Sequence, residues 1–562
     1  MKIAMKQGQI LLAEIEPERH GPLQKIGLLR WNRSSRTYSA PVSLELLDGL
    51  AKLFPLPDFI EAERRRLAEI ARQIEAQRTA EKPEPLCRYP VKADLFAHQI
   101  RAANMALIRF SGSRPSAGFG LLFEMGCGKT LTAIAIMGAL YHKRKIARVL
   151  VVAPSSVCSV WPHDLEAFAA FPYAVQVLLG EKEKRLEALD KLTRYPDTAN
   201  RLLIAVINYE STHREGIFEA LESYAADLII CDESQRIKNP IAAQSKALHK
   251  LGDAAVYKLI LSGTPVQNSA LDLYSQYRFL DPSVFGTNFY AFRNRYCQMG
   301  GYGGRQVVGC KNTEQLIQKE HSIALRVTKA ECLDLPQQTF LRRYVQLSPA
   351  VRQLYDQFAK ASRAELEGGG SITATTVLTR LLRLMQLTGG FTQADDSARA
   401  RPMGTAKLDT LEDILDDYVL ETSQKLVVFA RFRAEILAIV GLLHKKQIRH
   451  GCIYGEIPME QRGTIVEDFQ QNPDTKVFVA QIQTAGLGIT LHAASVAVFY
   501  SLDFNYANYA QALARIHRIG QHRPVTYIHL LVENSIDDKV LAALERKEDL
   551  ARSIVDSWKN YF

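Results

Sequence analysis

The sequence predicts an α/β protein: two parallel-sheet lobes with helical insertions and a small N-terminal α/β unit. The first observation is a set of short apolar runs, FGLLFEMG, VLVVAPS, LLIAVINYE, DLIICDES and KLILSGTP, each followed by a helical pattern. The second is the return of the same alternation in KLVVFARF, KVFVAQIQT, SVAVFYS and VTYIHLL. The third is the mostly helical stretch between the two sets, over residues 281–404. Continuous apolar runs that end in polar loops read as strands covered on both faces, as parallel strands are. The two lobes do not repeat each other's sequence, which excludes a tandem solenoid.

At 562 residues the chain has room for roughly three to four globular units. Residues 1–85 read as the small unit plus a connecting helix. Within it, IGLLRWNRSSRTYSAPVS alternates apolar and polar residues around a polar turn, a hairpin signal. Residues 58–79 are charged, Ala-rich and helical in period, and are expected to form a solvated connecting helix. The three prolines of EKPEPLCRYP mark a boundary. Residues 86–280 form the first lobe, 281–404 the helical protrusions and linker, and 405–545 the second lobe. Residues 546–562, containing EDLARSIVDSW, form a bracing amphipathic helix.

With 47% hydrophobic and 23% charged residues, a wholly disordered or collagenous chain is excluded. The 70 Lys and Arg exceed the 60 Asp and Glu by ten, a surplus compatible with a polyanionic partner and with an ordinary basic enzyme alike. The 8 cysteines have no zinc-binding spacing and imply a reducing compartment. No uncharged run approaches a membrane span, so no membrane partner is expected.

EMGCGKT spans Glu124, Met125, Gly126, Cys127, Gly128, Lys129 and Thr130, between a strand pattern and a helix pattern. Such a loop lets backbone N–H groups approach phosphates at a helix N-terminus, with the lysine on the β/γ-phosphates and the threonine hydroxyl on Mg²⁺. The first glycine of the full motif is replaced by Phe123, so a plain glycine-rich turn stays open on this segment alone. DESQ follows the strand run LIIC. Asp232 would hold the metal and Glu233 would act as general base on the attacking water, while a simple Asp cap is the alternative.

In order, LFAHQ, EMGCGKT, VVAPSSVCSVWPHDLEAF, DESQRIKNP, LSGTPVQN, DLYSQYRFLDPSVFG, IYGEIPMEQRGTIVEDF, QTAGLGITL and QALARIHRIGQHRPV resemble the Swi/Snf-type ATPases, the duplex-DNA translocase branch of superfamily-two helicases. Gln235 stands where that family usually has His, and Ala514 where it usually has Asp. The resemblance implies RecA-like lobes, ATP and Mg²⁺ as cofactors, and double-stranded DNA as partner. It implies that Gln99 reads adenine and that Gly486 lies near the nucleotide. It also implies that Arg515 and Arg518, from the second lobe, complete the ATP site across a cleft. Arginine suits that task because its fork is always charged and bidentate. Ser155, Ser156, Thr264, Arg431 and Thr484 are the implied DNA-phosphate contacts, a sequence-independent kind of grip. Arg293, Arg295, Arg380 and Arg383 are candidates for the second strand, and Arg326 with Lys329 resembles the linker between lobes.

The N-terminal unit is reminiscent of the HARP module of annealing helicases, with Trp31 and Tyr38 around its turn; a generic small β unit is the alternative. The HARP reading points to forked or branched duplex. The implied activity is an ATP-dependent translocase that remodels DNA structures or displaces bound proteins. A strand-separating helicase and a non-hydrolysing DNA-binding scaffold are the rivals. A monomer in a bacterial or phage-infected cytoplasm is expected rather than a nuclear remodeller, because no bromo-, chromo- or zinc-binding module is apparent.

Overall fold

The computed structural model describes residues 1–6, 8–111, 117–194, 200–300, 306–332, 335–367, 374–393, 400–483, 489–518 and 520–551. Thr484, Gly486, the Gly488 of the same loop and residues 552–562 of the expected brace lie outside the described residues. Among the described residues the chain divides into two compact units, one through Cys332 and one from residue 335 to Asp549.

The first unit begins with a four-stranded antiparallel sheet of β1 (Lys2–Lys6), β2 (Gln9–Ala13), β3 (Arg30–Asn32) and β4 (Thr37–Pro41), in the order β1-β2-β4-β3. The expected hairpin is the β3–β4 pair, with Trp31 opposite Tyr38. Ile10, Leu12, Tyr38 and Ala40 alternate inward and pack with Leu46, Leu47 and Leu50 of the helix Leu44–Ala51, which Ser43 caps through the Leu46 N–H.

The helix Asp58–Thr79 corrects the expectation of a solvated connector. Ile60, Leu67 and Ile74, spaced by seven, form a buried stripe that ends on Arg78, itself buried. Arg78 donates to the carbonyls of His321 and Ala324. The outward Arg64, Arg66 and Arg72 pair with Glu61, Glu63 and Glu69. The charges dominate the composition, and so hide a narrow apolar seam that recurs only once per two turns.

The large sheet of this unit holds seven parallel strands: β5 (Ala117–Phe123), β6 (Arg148–Ala153), β7 (Tyr173–Leu178), β8 (Leu202–Asn208), β9 (Leu228–Asp232), β10 (Tyr257–Leu261) and β13 (Ala324–Val327). A separate hairpin pairs β11 (Cys297–Gly300) with β12 (Gln306–Cys310). The order is β13-β5-β10-β9-β6-β8-β7, and β5, β8, β9 and β10 are buried throughout. This order sets the carboxyl ends of β5, β10, β9 and β6 side by side, so the EMGCGKT, LSGTP, DESQ and Pro-Ser loops emerge from neighbouring strands. Ligands of open α/β sheets bind at such strand ends.

The second unit carries six parallel strands: β14 (Gln338–Val345), β17 (Leu426–Ala430), β18 (His450–Ile453), β19 (Val477–Gln481), β20 (Val496–Phe499) and β21 (Val525–Val532), with a two-stranded ladder of β15 (Phe391–Thr392) and β16 (Arg401–Pro402). Their order is β14-β21-β20-β17-β19-β18. Both sheets therefore reach into residues 281–404: β13 and β14 are strands where a helical pattern was expected. Each is an edge strand; β14 is exposed along nearly all its length, and β13, though buried, is a short run interrupted by Arg326, so neither shows the fully apolar run of an inner strand. Arg326 lies on β13, inside the first sheet rather than in a linker between lobes. At the C-terminus the helix begins earlier than expected, spanning Ile536–Ala551. Among the described residues no helix is long and apolar enough to cross a membrane.

At Gly118 on β5 the end of the helix Leu271–Leu280 packs directly against the strand. A Cβ there would lie 2.5 Å from the Leu280 carbonyl oxygen and 2.7 Å from its Cα. Gly118→Ala is expected to force those backbones apart and lower stability by about 1–3 kcal/mol, measured by denaturant unfolding.

Candidate functional site

The loop after β5 is shaped by two residues with positive φ, Gly126 at 90° and Gly128 at 80°. At Gly128 a Cβ would lie 2.1 Å from Gln99 Nε2, so only glycine fits that close approach. Gln99 is buried and spends its amide on the protein itself: Oε1 accepts from the Phe96 N–H at 2.9 Å and Nε2 donates to the Gly128 carbonyl at 3.4 Å. His98 adds a bond between Nε2 and the Cys127 carbonyl, 2.9 Å. The loop is thus clamped from behind by the helix Ala97–Phe110. Lys129 opens the helix Lys129–His142, and its ammonium donates to the Phe123 carbonyl at 3.1 Å. Thr130 follows it, half-buried.

Glu124, expected beside the nucleotide, is engaged with the end of β13. Its Oε1 is 3.3 Å from the Arg326 guanidinium and its Oε2 accepts the Lys329 N–H at 2.9 Å. Arg326 also donates to the carbonyls of Leu122 and Gly263. One buried guanidinium therefore joins the strand before the phosphate loop to the LSGTP turn.

Asp232 ends β9 and is buried. Its Oδ2 accepts from the indole N–H of Trp161 at 3.1 Å, and its Oδ1 from the Glu233 N–H at 2.9 Å. Burial, then the neighbouring Glu233 charge, pushes the Asp232 carboxyl up to about 7, against the pull of Lys129 and the two hydrogen bonds. Tyr209 braces the same turn, its hydroxyl donating to the Asp232 carbonyl at 2.7 Å. The next residue, Glu233, holds the left-handed conformation at φ 52°, a conformation uncommon outside glycine that concentrates at functional sites.

From Glu233 a chain of hydrogen bonds runs sideways to the next strand end. Gln235 Nε2 donates to Glu233 Oε2 at 2.7 Å, Ser262 Oγ donates to Gln235 Oε1 at 2.7 Å, and the Thr264 N–H donates to Ser262 Oγ at 3.1 Å. Thr264 Oγ1 is buried without a partner among the described residues. Gln235 serves here because its amide donates at one end and accepts at the other. Ser155 and Ser156 open the short helix after β6, with Ser155 exposed.

A magnesium nucleotide fits these residues. The loop offers backbone N–H groups at a helix start, Lys129 and Thr130 stand at its first two positions, and Asp232 is a buried carboxylate with incomplete charge compensation. Sequence reasoning did not assign the roles of Trp161, Tyr209 and Gln235, and it gave Arg326 a place in the linker instead. Trp161 and Gln235 were visible as motif positions, but their partners lie on other strands.

In the second unit, Arg431 follows β17. Its N–H donates to Ser501 Oγ at 2.8 Å and to Glu435 Oε2 at 3.2 Å, and its guanidinium lies 3.1 Å from the Met385 sulfur. Burial lowers the Arg431 pKa. Arg515 is buried on the helix Tyr506–Ile516, donating to the Ile489 carbonyl at 3.4 Å. Arg518, three residues on, is half-buried, and that desolvation lowers its pKa. Of the second-strand candidates, Arg295 bonds Gln315, Arg383 bonds Gln386, and Arg293 lies over the Tyr290 ring.

A phosphate-binding loop beside an Asp-Glu strand end, in a chain with a second parallel-sheet unit, defines a helicase-like nucleotide-binding protein. The SNF2-related domain matches residues 89–389, and the helicase conserved C-terminal domain matches residues 406–520. The chain belongs to the SNF2-related family. It is 31% identical over 435 residues to a SWI/SNF-related matrix-associated actin-dependent regulator of chromatin subfamily A-like protein 1 homolog of Caenorhabditis elegans, covering 76% of this chain and 58% of that protein. It is 29% identical over 448 residues to the mouse DNA annealing helicase and endonuclease ZRANB3, covering 78% and 39%. Against the Sulfolobus solfataricus SWI2/SNF2 ATPase core in complex with double-stranded DNA, identity is 26% over 84% of this chain and 95% of that one, with a TM-score of 0.39. The chain thus spans little more than half of the first of these curated relatives and less of the second.

Glu435 supplies a test in the second unit. It is buried, its Oε2 accepts from Arg431 N, Phe432 N and Ser501 Oγ, and its Oε1 has no partner among the described residues. Burial raises its carboxyl from 4.5 to about 7, with Lys407 and the hydrogen bonds opposing. Below 4.5 the folded and unfolded chains both hold the proton, so nothing is lost. From 4.5 to about 7 the unfolded chain ionises while the folded one does not, and stability falls, by about 3 kcal/mol in all. Unfolding of Glu435→Gln is expected to lack this decline when the two proteins are compared at pH 5 and pH 8.

Proposed function

We propose that the protein is an ATP-driven translocase on double-stranded DNA that remodels DNA structures or displaces bound proteins. The observation that carries the reading is the hydrogen-bonded line from Glu233 through Gln235 and Ser262 to Thr264, because it joins the hydrolytic end of one strand to the candidate DNA-contact loop of the next. Lys129 and the loop N–H groups hold the phosphates, and Thr130 with Asp232 hold Mg²⁺. The metal, when bound, neutralises phosphate charge during transfer. Glu233 takes the proton of the attacking water, and its backbone is fixed by the Asp232 carboxylate.

Arg515 and Arg518 are assigned to the charge that develops on the transferred phosphoryl group. Ser155, Ser156, Thr264 and Arg431 are assigned to DNA phosphates, where hydroxyls and a guanidinium grip without reading bases. Gln99 acts in this reading by holding the loop. Arg30, Arg33 and Arg36 are exposed around the β3–β4 turn, and such guanidiniums suit DNA phosphates, which supports a preference for forked or branched duplex.

The test is ATP turnover titrated with duplex, single-stranded and forked DNA at fixed salt, since phosphate contacts are screened. Duplex or forked DNA is expected to stimulate turnover more than single strands, and Glu233→Gln to lower kcat by roughly a hundredfold or more while ATP still binds. Preferential stimulation by single strands, with strand separation, would favour the helicase reading. No turnover with any DNA would favour the scaffold.

A further inference from the structure

Two thiols meet at the phosphate-binding loop. The Cys127 sulfur, inside EMGCGKT, lies 3.3 Å from the sulfur of Cys332, 205 residues away in the chain. Cys127 is 2% exposed, whereas Cys332 is half-buried. Both are anchored. Cys127 sits between the two positive-φ glycines with its carbonyl bound to His98, and Cys332 ends the short helix Lys329–Cys332, whose first N–H donates to Glu124 of the same loop. The other close cysteines, Cys297 and Cys310, oppose each other on the β11–β12 hairpin and belong to no part of the loop.

We propose that Cys127 and Cys332 are a redox modification site, joined reversibly in a disulfide that disables the phosphate-binding loop, with a peroxide as the oxidant. The inference rests on reading residues 124–130 as the ATP-binding loop. Cys332 is the first to react. It is the more accessible thiol, and its contact with the Cys127 sulfur holds it below the ordinary thiol value, while the same contact and burial push Cys127 up. The Cys332 thiolate attacks one peroxide oxygen, the O–O bond breaks, and the sulfur becomes a sulfenic acid with the second oxygen leaving as water after protonation. The Cys127 sulfur then displaces the sulfenic hydroxyl. A second water leaves, carrying the Cys127 proton, and two electrons have passed from the thiols to the peroxide. A dithiol reductant reverses the bond by exchange.

The consequence follows from length. A disulfide is about 2.05 Å long, so the sulfurs must close by about 1.3 Å, and Cys127 stands two residues from Lys129. Displacement of about 1 Å in a positioned catalytic group costs roughly a hundredfold in rate.

The full chain is reduced, treated with hydrogen peroxide, alkylated and mapped as non-reduced peptides, and duplex-stimulated ATP turnover is measured on the same samples. A Cys127–Cys332 linked peptide is expected, with turnover reduced roughly tenfold to a hundredfold and restored by dithiothreitol. Cys332→Ser and Cys332→Ala are expected to keep the reduced protein's turnover and to resist peroxide. Absence of the linked peptide from oxidised wild-type protein overturns the proposal, as does equal peroxide sensitivity of the Cys332 variants. Failure of the reduced wild-type protein to turn over ATP contradicts the functional reading instead, and the peptide map still decides the disulfide.

Discussion

A carboxylate buried beside a second carboxylate is costly to keep charged, and Asp232 is held in that condition at the end of β9. The surrounding structure is organised to keep it there. Trp161 gives up its indole N–H to it, Tyr209 fastens its carbonyl, and Lys129 supplies a positive charge. The indole comes from the helix Val160–Phe168 after the Pro-Ser loop and the lysine from the helix after β5, so the strand order around β9 is a precondition of the site. A cation that neutralised Asp232 would relieve the desolvation that the fold imposes.

From the same turn, polar groups continue to the neighbouring strand. Glu233, Gln235, Ser262 and Thr264 form a line in which each donor meets one acceptor. Arg326 bonds the Gly263 carbonyl and Glu124 at once, tying the LSGTP turn to the start of the phosphate loop. These directed bonds join the Glu233 turn to Thr264, a connection that the proposed coupling of nucleotide state to DNA grip requires.

Much of this was legible in the sequence because inner parallel strands are uninterrupted apolar runs, and each ran straight into its motif: LIIC into DESQ, KLIL into LSGTP, KLVVFA into Arg431. The edge strands β13 and β14 were not legible, since β14 is largely exposed and β13 is a short run carrying Arg326. The seam of the helix Asp58–Thr79 was hidden under arginine-glutamate pairs. Cross-strand partners were hidden for a different reason. Trp161 and Asp232, Cys127 and Cys332, or Glu435 and Ser501 lie far apart in sequence, and only the strand order brings them together. Phe123, which departs from the usual glycine, is a fully buried strand residue whose carbonyl accepts from Lys129.

The most direct test of the account is equilibrium binding of ATP with and without Mg²⁺, compared between the wild-type protein and Asp232→Asn. The buried carboxylate predicts that magnesium tightens ATP binding to the wild-type protein and that this increment largely disappears in Asp232→Asn, while magnesium-free binding changes little. An undiminished magnesium increment in Asp232→Asn would contradict it.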